Sequence, residues 1–186
     1  MTSLKKLSLA TIALLIGATL HAQIEVSQLI MKGQNAVGEG GFLHFGFQVP
    51  KGDEVSGELG FSIFAPGQSH LIFIPILAGY RHFFDHSSTG FYIEPFAGYT
   101  FGATDIPEYD ASGNPIYNSD GSQKDLAPDG PTAGLGFGYI IPSAKAPVNF
   151  GLRFEHIFTS SGIPAPSLLS FRISWSVLTG RRLQQQ

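Results

Sequence analysis

From about residue 24 onward the chain alternates apolar and polar positions with a period of two, in short segments separated by turn residues. That is the pattern of strands with one greasy and one wet face. The last segment, LLSFRISWSV, sets Leu169, Phe171, Ile173, Trp175 and Val177 against Ser170, Arg172, Ser174 and Ser176. GFLHFGFQV opposes Leu43, Phe45, Phe47 and Val49 to His44, Gly46 and Gln48, and VSGELGFSI opposes Leu59, Phe61 and Ile63 to Ser56, Glu58, Gly60 and Ser62. LIFIPILAGYRHFF is apolar on both faces, yet Ile72, Ile74, Ile76, Ala78 and Tyr80 form one row and leave Gly79 and Arg81 in the other. FYIEPFAGYTFG, TAGLGFGYI and VNFGLRFEHIF continue the alternation, with Glu94, Gly134, Gly136, Gly138, Arg153 and Glu155 on the polar side. With a weaker strand at residues 24–32, IEVSQLIMK, the pattern predicts eight strands and no helix of any length.

The connections decide what those strands build. A transmembrane barrel of a single bacterial chain has an even number of strands, short periplasmic turns and longer external loops. With residues 24–32 as the first strand, the longest connection, residues 103–130, falls between strands five and six, on the external side. PKGD, DHSS and PSAKA become the short periplasmic turns. With seven strands the long loop would lie on the wrong side. The expected fold is therefore all-β, an eight-stranded antiparallel up-and-down transmembrane β-barrel spanning residues 23–180, with a tail at 181–186. Pro75 and Pro95 weigh slightly against regular central strands, since each lacks a ladder donor.

The N-terminus supports export. Lys5 and Lys6 precede an apolar run from Leu7 to Leu20 that ends in His21, Ala22 and Gln23. This reads as a signal peptide of residues 1–22, because the run falls short of the ~17–25 apolar residues of a spanning helix. The chain has no cysteine, which excludes disulfides, a thiolate nucleophile and a lipidated cysteine anchor. Only 13% of the residues are charged and there is no basic run, so nucleic acid is not an expected partner. The localisation expected is the outer membrane, among its lipid and lipopolysaccharide, as a monomer.

In such a barrel the polar rows face the lumen. They collect Glu58, Arg81, Glu94, Arg153, Glu155 and Arg172, three acids and three bases that read as a balanced interior packing network. An arginine on lipid at the midplane would cost about 2–4 kcal/mol, whereas inside it can pair bidentately with a carboxylate. Glycines on the same rows leave room for the long side chains.

The signal, the strand spacing, PILAGYRHFF followed by GFYIEPFAGYTFG, and the final LLSFRISWSV together resemble the small outer-membrane β-barrel domain proteins of the Bacteroidota, within the porin-like superfamily. The resemblance covers nearly the whole mature chain and implies an outer-membrane location while saying little about activity. One departure is that TGRRLQQQ follows the last strand where such barrels end on an aromatic residue.

Candidate chemistry is sparse, and neither catalysis nor a cofactor is expected. LRFEHIFTSSG is similar in place to the catalytic strand of outer-membrane lipid A deacylases, which use an outward histidine and serine two residues apart. Here Phe158 stands two residues beyond His156. Asp110, Ser112, Asn114, Asn118, Asp120 and Ser122 are spaced like calcium ligands but lack a closing glutamate, and YDASGNPIYNSDGS reads better as a hairpin with turns at SGN and SDG. The six histidines have no metal-ligand spacing. Recognition therefore falls to the long loop, with Tyr109, Asp110, Tyr117 and Asp120 as contact candidates. The alternatives are a secreted soluble barrel holding a small apolar ligand, and an ester hydrolase of the deacylase kind.

Overall fold

The computed structural model describes residues 18–31, 34–67, 69–105, 107–110, 112–125, 127–142, 147–160 and 164–178. Eight strands run in order: β1 (Ala18–Met31), β2 (Gln34–Gln48), β3 (Glu54–Phe64), β4 (Leu71–Phe83), β5 (Gly90–Thr104), β6 (Gly130–Ile141), β7 (Val148–Ile157) and β8 (Ser167–Leu178). Each pairs antiparallel with its chain neighbours, and β1 closes on β8. All eight expected strands are present, the weak first one among them. Closure leaves no edge, so backbone donors and acceptors find partners within the wall.

Register gives the tilt. From Val26, partners run one way through Glu39, Ile63 and Ile72 to Ala103 on β5, and the other way through Phe171, Leu152 and Phe137 to Ile93. The two routes meet β5 ten residues apart. For eight strands that stagger corresponds to a tilt of about 40°.

Several sequence expectations shift at the edges. The long connection is 105–129, not 103–130, because β5 continues to Thr104 and β6 begins at Gly130. In the uncut chain β1 reaches back to Ala18 and so covers the last residues of the expected signal segment. The tail at 181–186 lies outside the described residues. Pro75 and Pro95 both sit within strands, and the ladder lapses beside each. The β3–β4 partners skip from Leu59↔Ile76 to Ser62↔Phe73, and the β4–β5 partners from Gly79↔Phe96 to His82↔Ile93. A missing N–H thus costs a local break and leaves the register unchanged.

The faces are inverted relative to a water-soluble barrel. The outward rows expose Ile74, Phe61, Phe137, Leu152 and Phe171 around the wall, while Arg81, Arg153 and Arg172 are buried inside. Apolar packing closes the lumen at both ends. Leu29, Met31, Phe64, Leu71, Phe73, Ile157 and Leu168 fill the end that carries the 105–129 connection. Phe83, Tyr92 and Ile140 cluster at the opposite end. The charged residues lie between these plugs.

Candidate functional site

The lumen holds one connected network. Arg153 donates from Nη1 to both oxygens of Glu58, at 2.9 and 3.1 Å, and its Nη2 lies 3.3 Å from Glu155. Arg172 donates to the second oxygen of Glu58 at 2.6 Å, to Glu25 through Nε, and to Gln23 at 3.3 Å. Arg81 bridges Glu54 at 3.1 Å and Glu94 at 3.0 Å, and Ser56 donates to Glu94 at 2.8 Å. His44 joins the two halves, with Nε2 3.0 Å from Glu54 and Nδ1 3.9 Å from Glu58. Each guanidinium also covers an aromatic ring: Arg81 over Tyr92 at 4.4 Å, Arg153 over Phe96 at 3.3 Å and Arg172 over Phe42 at 4.3 Å.

All six residues expected inside are there, but the balance of three acids and three bases is not. Glu25 and Glu54 are also buried in the network, so five carboxylates face three arginines. Glu25 shares the inward row of β1 with Gln23 and Ser27, and the alternation of IEVSQ carries that signal. Glu54 was missed because its strand begins one residue earlier than the apolar pattern shows. His44 lies on the polar row that the sequence shows, and closure of the barrel brings Glu54 and Glu58 to it.

Little space remains. A cavity of about 10 Å³ lies among Gln23, Arg81, Tyr92, Glu94, Asn149, Arg153 and Arg172, which is room for roughly one water. Among the described residues, charged side chains occupy the middle of the lumen, where the soluble-barrel alternative would place its apolar ligand.

The 105–129 connection has an order the sequence reading did not resolve. Residues 108, 116 and 124 close a ring of backbone hydrogen bonds: Glu108 N–H to Lys124 at 2.8 Å, Lys124 N–H to Ile116 at 2.8 Å and Ile116 N–H to Glu108 at 3.0 Å. Flanking bridges pair Pro107 with Asp125, Tyr109 with Pro115, and Tyr117 with Gln123. This is a three-sided knuckle, not a plain hairpin. Its signal is an eight-residue repeat, PEYDASGN followed by PIYNSDGS, which was legible in the chain. The turns do fall at SGN and SDG, where Gly113 and Gly121 take φ of 82° and 85°, a region that suits glycine.

The four loop candidates divide into two pairs. Tyr109 and Tyr117 are exposed at corresponding repeat positions. Asp110 accepts from the N–H groups of Asn114 and Ser112, both at 2.8 Å, and Asp120 from the hydroxyl and N–H of Ser122 at 2.6 and 2.9 Å. These bonds hold both carboxyls below the usual aspartate range and make the aspartates turn caps. Lys124 pairs with Glu108 at 2.7 Å across the knuckle.

On the outer wall His156 Nδ1 lies 2.8 Å from the hydroxyl of Ser167, its cross-strand partner, and its ring meets Phe158 edge-on at 4.7 Å. Sequence spacing could not show this serine, because it arrives from the next strand.

A closed eight-stranded wall, apolar outside and charged within, has the architecture of outer-membrane β-barrels. Solved structures agree. Neisserial surface protein A is 12% identical, with a TM-score of 0.55 over 85% of this chain and 96% of that one. Ail, the attachment invasion locus protein of Yersinia pestis, is 9% identical, with a TM-score of 0.57 over 86% of this chain and 95% of that one. At such identities the likeness concerns the fold. No family model matches the chain, and no curated protein matches it.

Proposed function

We propose that this chain is an exported outer-membrane β-barrel with a filled lumen, acting at the cell surface through its external knuckle. The observation that carries the reading is the inversion of faces: large apolar side chains cover the outer wall, while Glu25, Glu54, Glu58 and Glu155 and three arginines are buried inside and the half-buried Glu94 pairs with Arg81. In water that exposed surface would drive aggregation, and in lipid it is the solvated face. Among the described residues, apolar clusters at both ends and the charged network between them fill the lumen, which favours a role at the surface over one in permeation. Recognition then rests on 105–129, where Tyr109 and Tyr117 stand clear of a rigid three-sided base and the aspartates shape its turns. The surroundings are lipid and lipopolysaccharide, and the working unit is a monomer.

Replacing residues 108–124 by a short Gly-Ser turn tests this. The shortened protein should insert and show heat-modifiable migration like the parent, while losing whatever binding the parent shows on glycan and protein arrays. Failure to insert would make the knuckle structural, and unchanged binding would place recognition elsewhere.

One contact favours a second reading. The His156–Ser167 pair is a base beside a hydroxyl on the lipid-facing wall, the minimum for hydrolysing an acyl ester. Among the described residues no carboxylate orients the histidine, which is why this reading stands second. Fatty-acid release from purified lipopolysaccharide, absent in Ser167→Ala, would raise it to first.

A further inference from the structure

The outer wall of the barrel is not uniform. Across β8, β1, β2 and β3 a groove of about 480 Å³ is lined by Phe171, Ile173, Ile24, Val26, Gly41 and Phe61, and Glu39 stands at it too. Its floor is Gly41, the one outward position of β2 in this region without a side chain. A Cβ there would meet the Phe61 ring at 3.3 Å, so the groove exists because residue 41 is glycine. Its volume falls within the ~300–1,000 Å³ of small-molecule sites.

Glu39 gives the groove a polar end. It points outward from β2, opposite Val26 on β1 and Ile63 on β3. No described side chain bonds its carboxylate, in contrast to the five glutamates of the lumen. It lies on the half of β2 nearer the external end, two residues above Gly41. In a bilayer-spanning wall this half faces the outer leaflet, so a head group that dips toward the acyl region reaches Glu39. A carboxylate there repels the phosphate of an ordinary anionic lipid and attracts a protonated amine.

We propose that this groove seats an acyl chain of an outer-leaflet lipid whose head group carries a protonated amine, with the ammonium on Glu39 and the chain running over Gly41 between Phe61 and Phe171. The proposal rests on the outer-membrane reading of the fold. It adds a lipid preference that the fold alone does not supply. A single charge-assisted hydrogen bond to ammonium corresponds to a preference on the order of tenfold.

The chain contains one tryptophan, Trp175, so a reporter can be moved into the groove. The full-length protein carrying Trp175→Phe and Phe171→Trp is reconstituted in vesicles, with insertion checked by heat-modifiable migration. Small fractions of brominated lipid are then added, either phosphatidylethanolamine or phosphatidylglycerol with identical chains. The brominated amine lipid is expected to quench at about one tenth the mole fraction needed for the glycerol lipid. Glu39→Gln should equalise the two while leaving insertion intact. Gly41→Leu, which fills the floor, should weaken quenching by the amine lipid. Equal quenching by both lipids with Glu39 present, or a preference that survives Glu39→Gln, would overturn the proposal. A protein that does not insert at all would instead overturn the membrane reading on which it rests, and Glu39→Gln alone decides the site if Gly41→Leu fails to fold.

Discussion

Arg172 offers the sharpest test of the interior. Its guanidinium serves Glu25, Glu58 and Gln23 and covers Phe42. Arg172→Met keeps an unbranched apolar side chain in the same space, so the packing loss is modest, and the consequences for the two carboxylates differ. Glu58 retains both bonds from Arg153. Among the described residues, Glu25 loses its one arginine and keeps the hydroxyls of Ser27 and Ser170, the latter at 3.0 Å. An uncompensated buried charge costs about 3–5 kcal/mol, and the two hydroxyls place this case toward ~3 kcal/mol. Removing the charge should recover most of that loss, so Arg172→Met/Glu25→Gln is expected to be more stable than Arg172→Met alone. Urea titration of the refolded protein in detergent, followed by Trp175 fluorescence, measures both differences at a fixed slope. A cost below about 1 kcal/mol for Arg172→Met, or a double variant less stable than the single one, would refute the account of the network.

Two further outcomes probe the wall and its short-turn end. Phe171 is the outward neighbour of Arg172, and Phe171→Arg should impair insertion by about 2–4 kcal/mol while leaving the lumen network in place; the fraction migrating as folded barrel on unboiled gels reports it. Asp53, in the turn between β2 and β3, accepts from the Tyr80 hydroxyl, bonds His82 at 3.1 Å and accepts from the Phe83 N–H at 3.1 Å. These partners, the Tyr80 hydroxyl foremost, lower its carboxyl from 3.8 to about 2. A carboxyl lowered on folding adds stability that is complete above its unfolded value and fades as pH falls through the folded one. Thermal melts should therefore decline between about pH 4 and pH 2. In Asp53→Asn that part of the decline should disappear, and an unchanged pH profile would remove Asp53 from the account.

Most of the wall was legible in the chain because strand alternation is local. Phe171 and Arg172 declare their faces within ten residues of sequence, and the parity of the loops turns those faces into a barrel of eight strands. The lumen charges followed from the same reasoning, since an arginine on an otherwise greasy strand has nowhere cheaper to go. What the chain could not supply was partnership between distant residues. That Arg172 meets Glu25, that His156 meets Ser167, and that Glu39 stands beside a groove floored by Gly41 all depend on register and closure. β8 meets β1 only when the whole sheet curls through a stagger of ten residues, and no local pattern encodes that number. The knuckle lies between these cases. Its eight-residue repeat is written in the sequence, but only the closed ring of bonds through Glu108, Ile116 and Lys124 shows that successive repeats turn back on one another and do not extend as a hairpin. Local periodicity thus determined which way each side chain faces, and tertiary closure decided which neighbour it finds there.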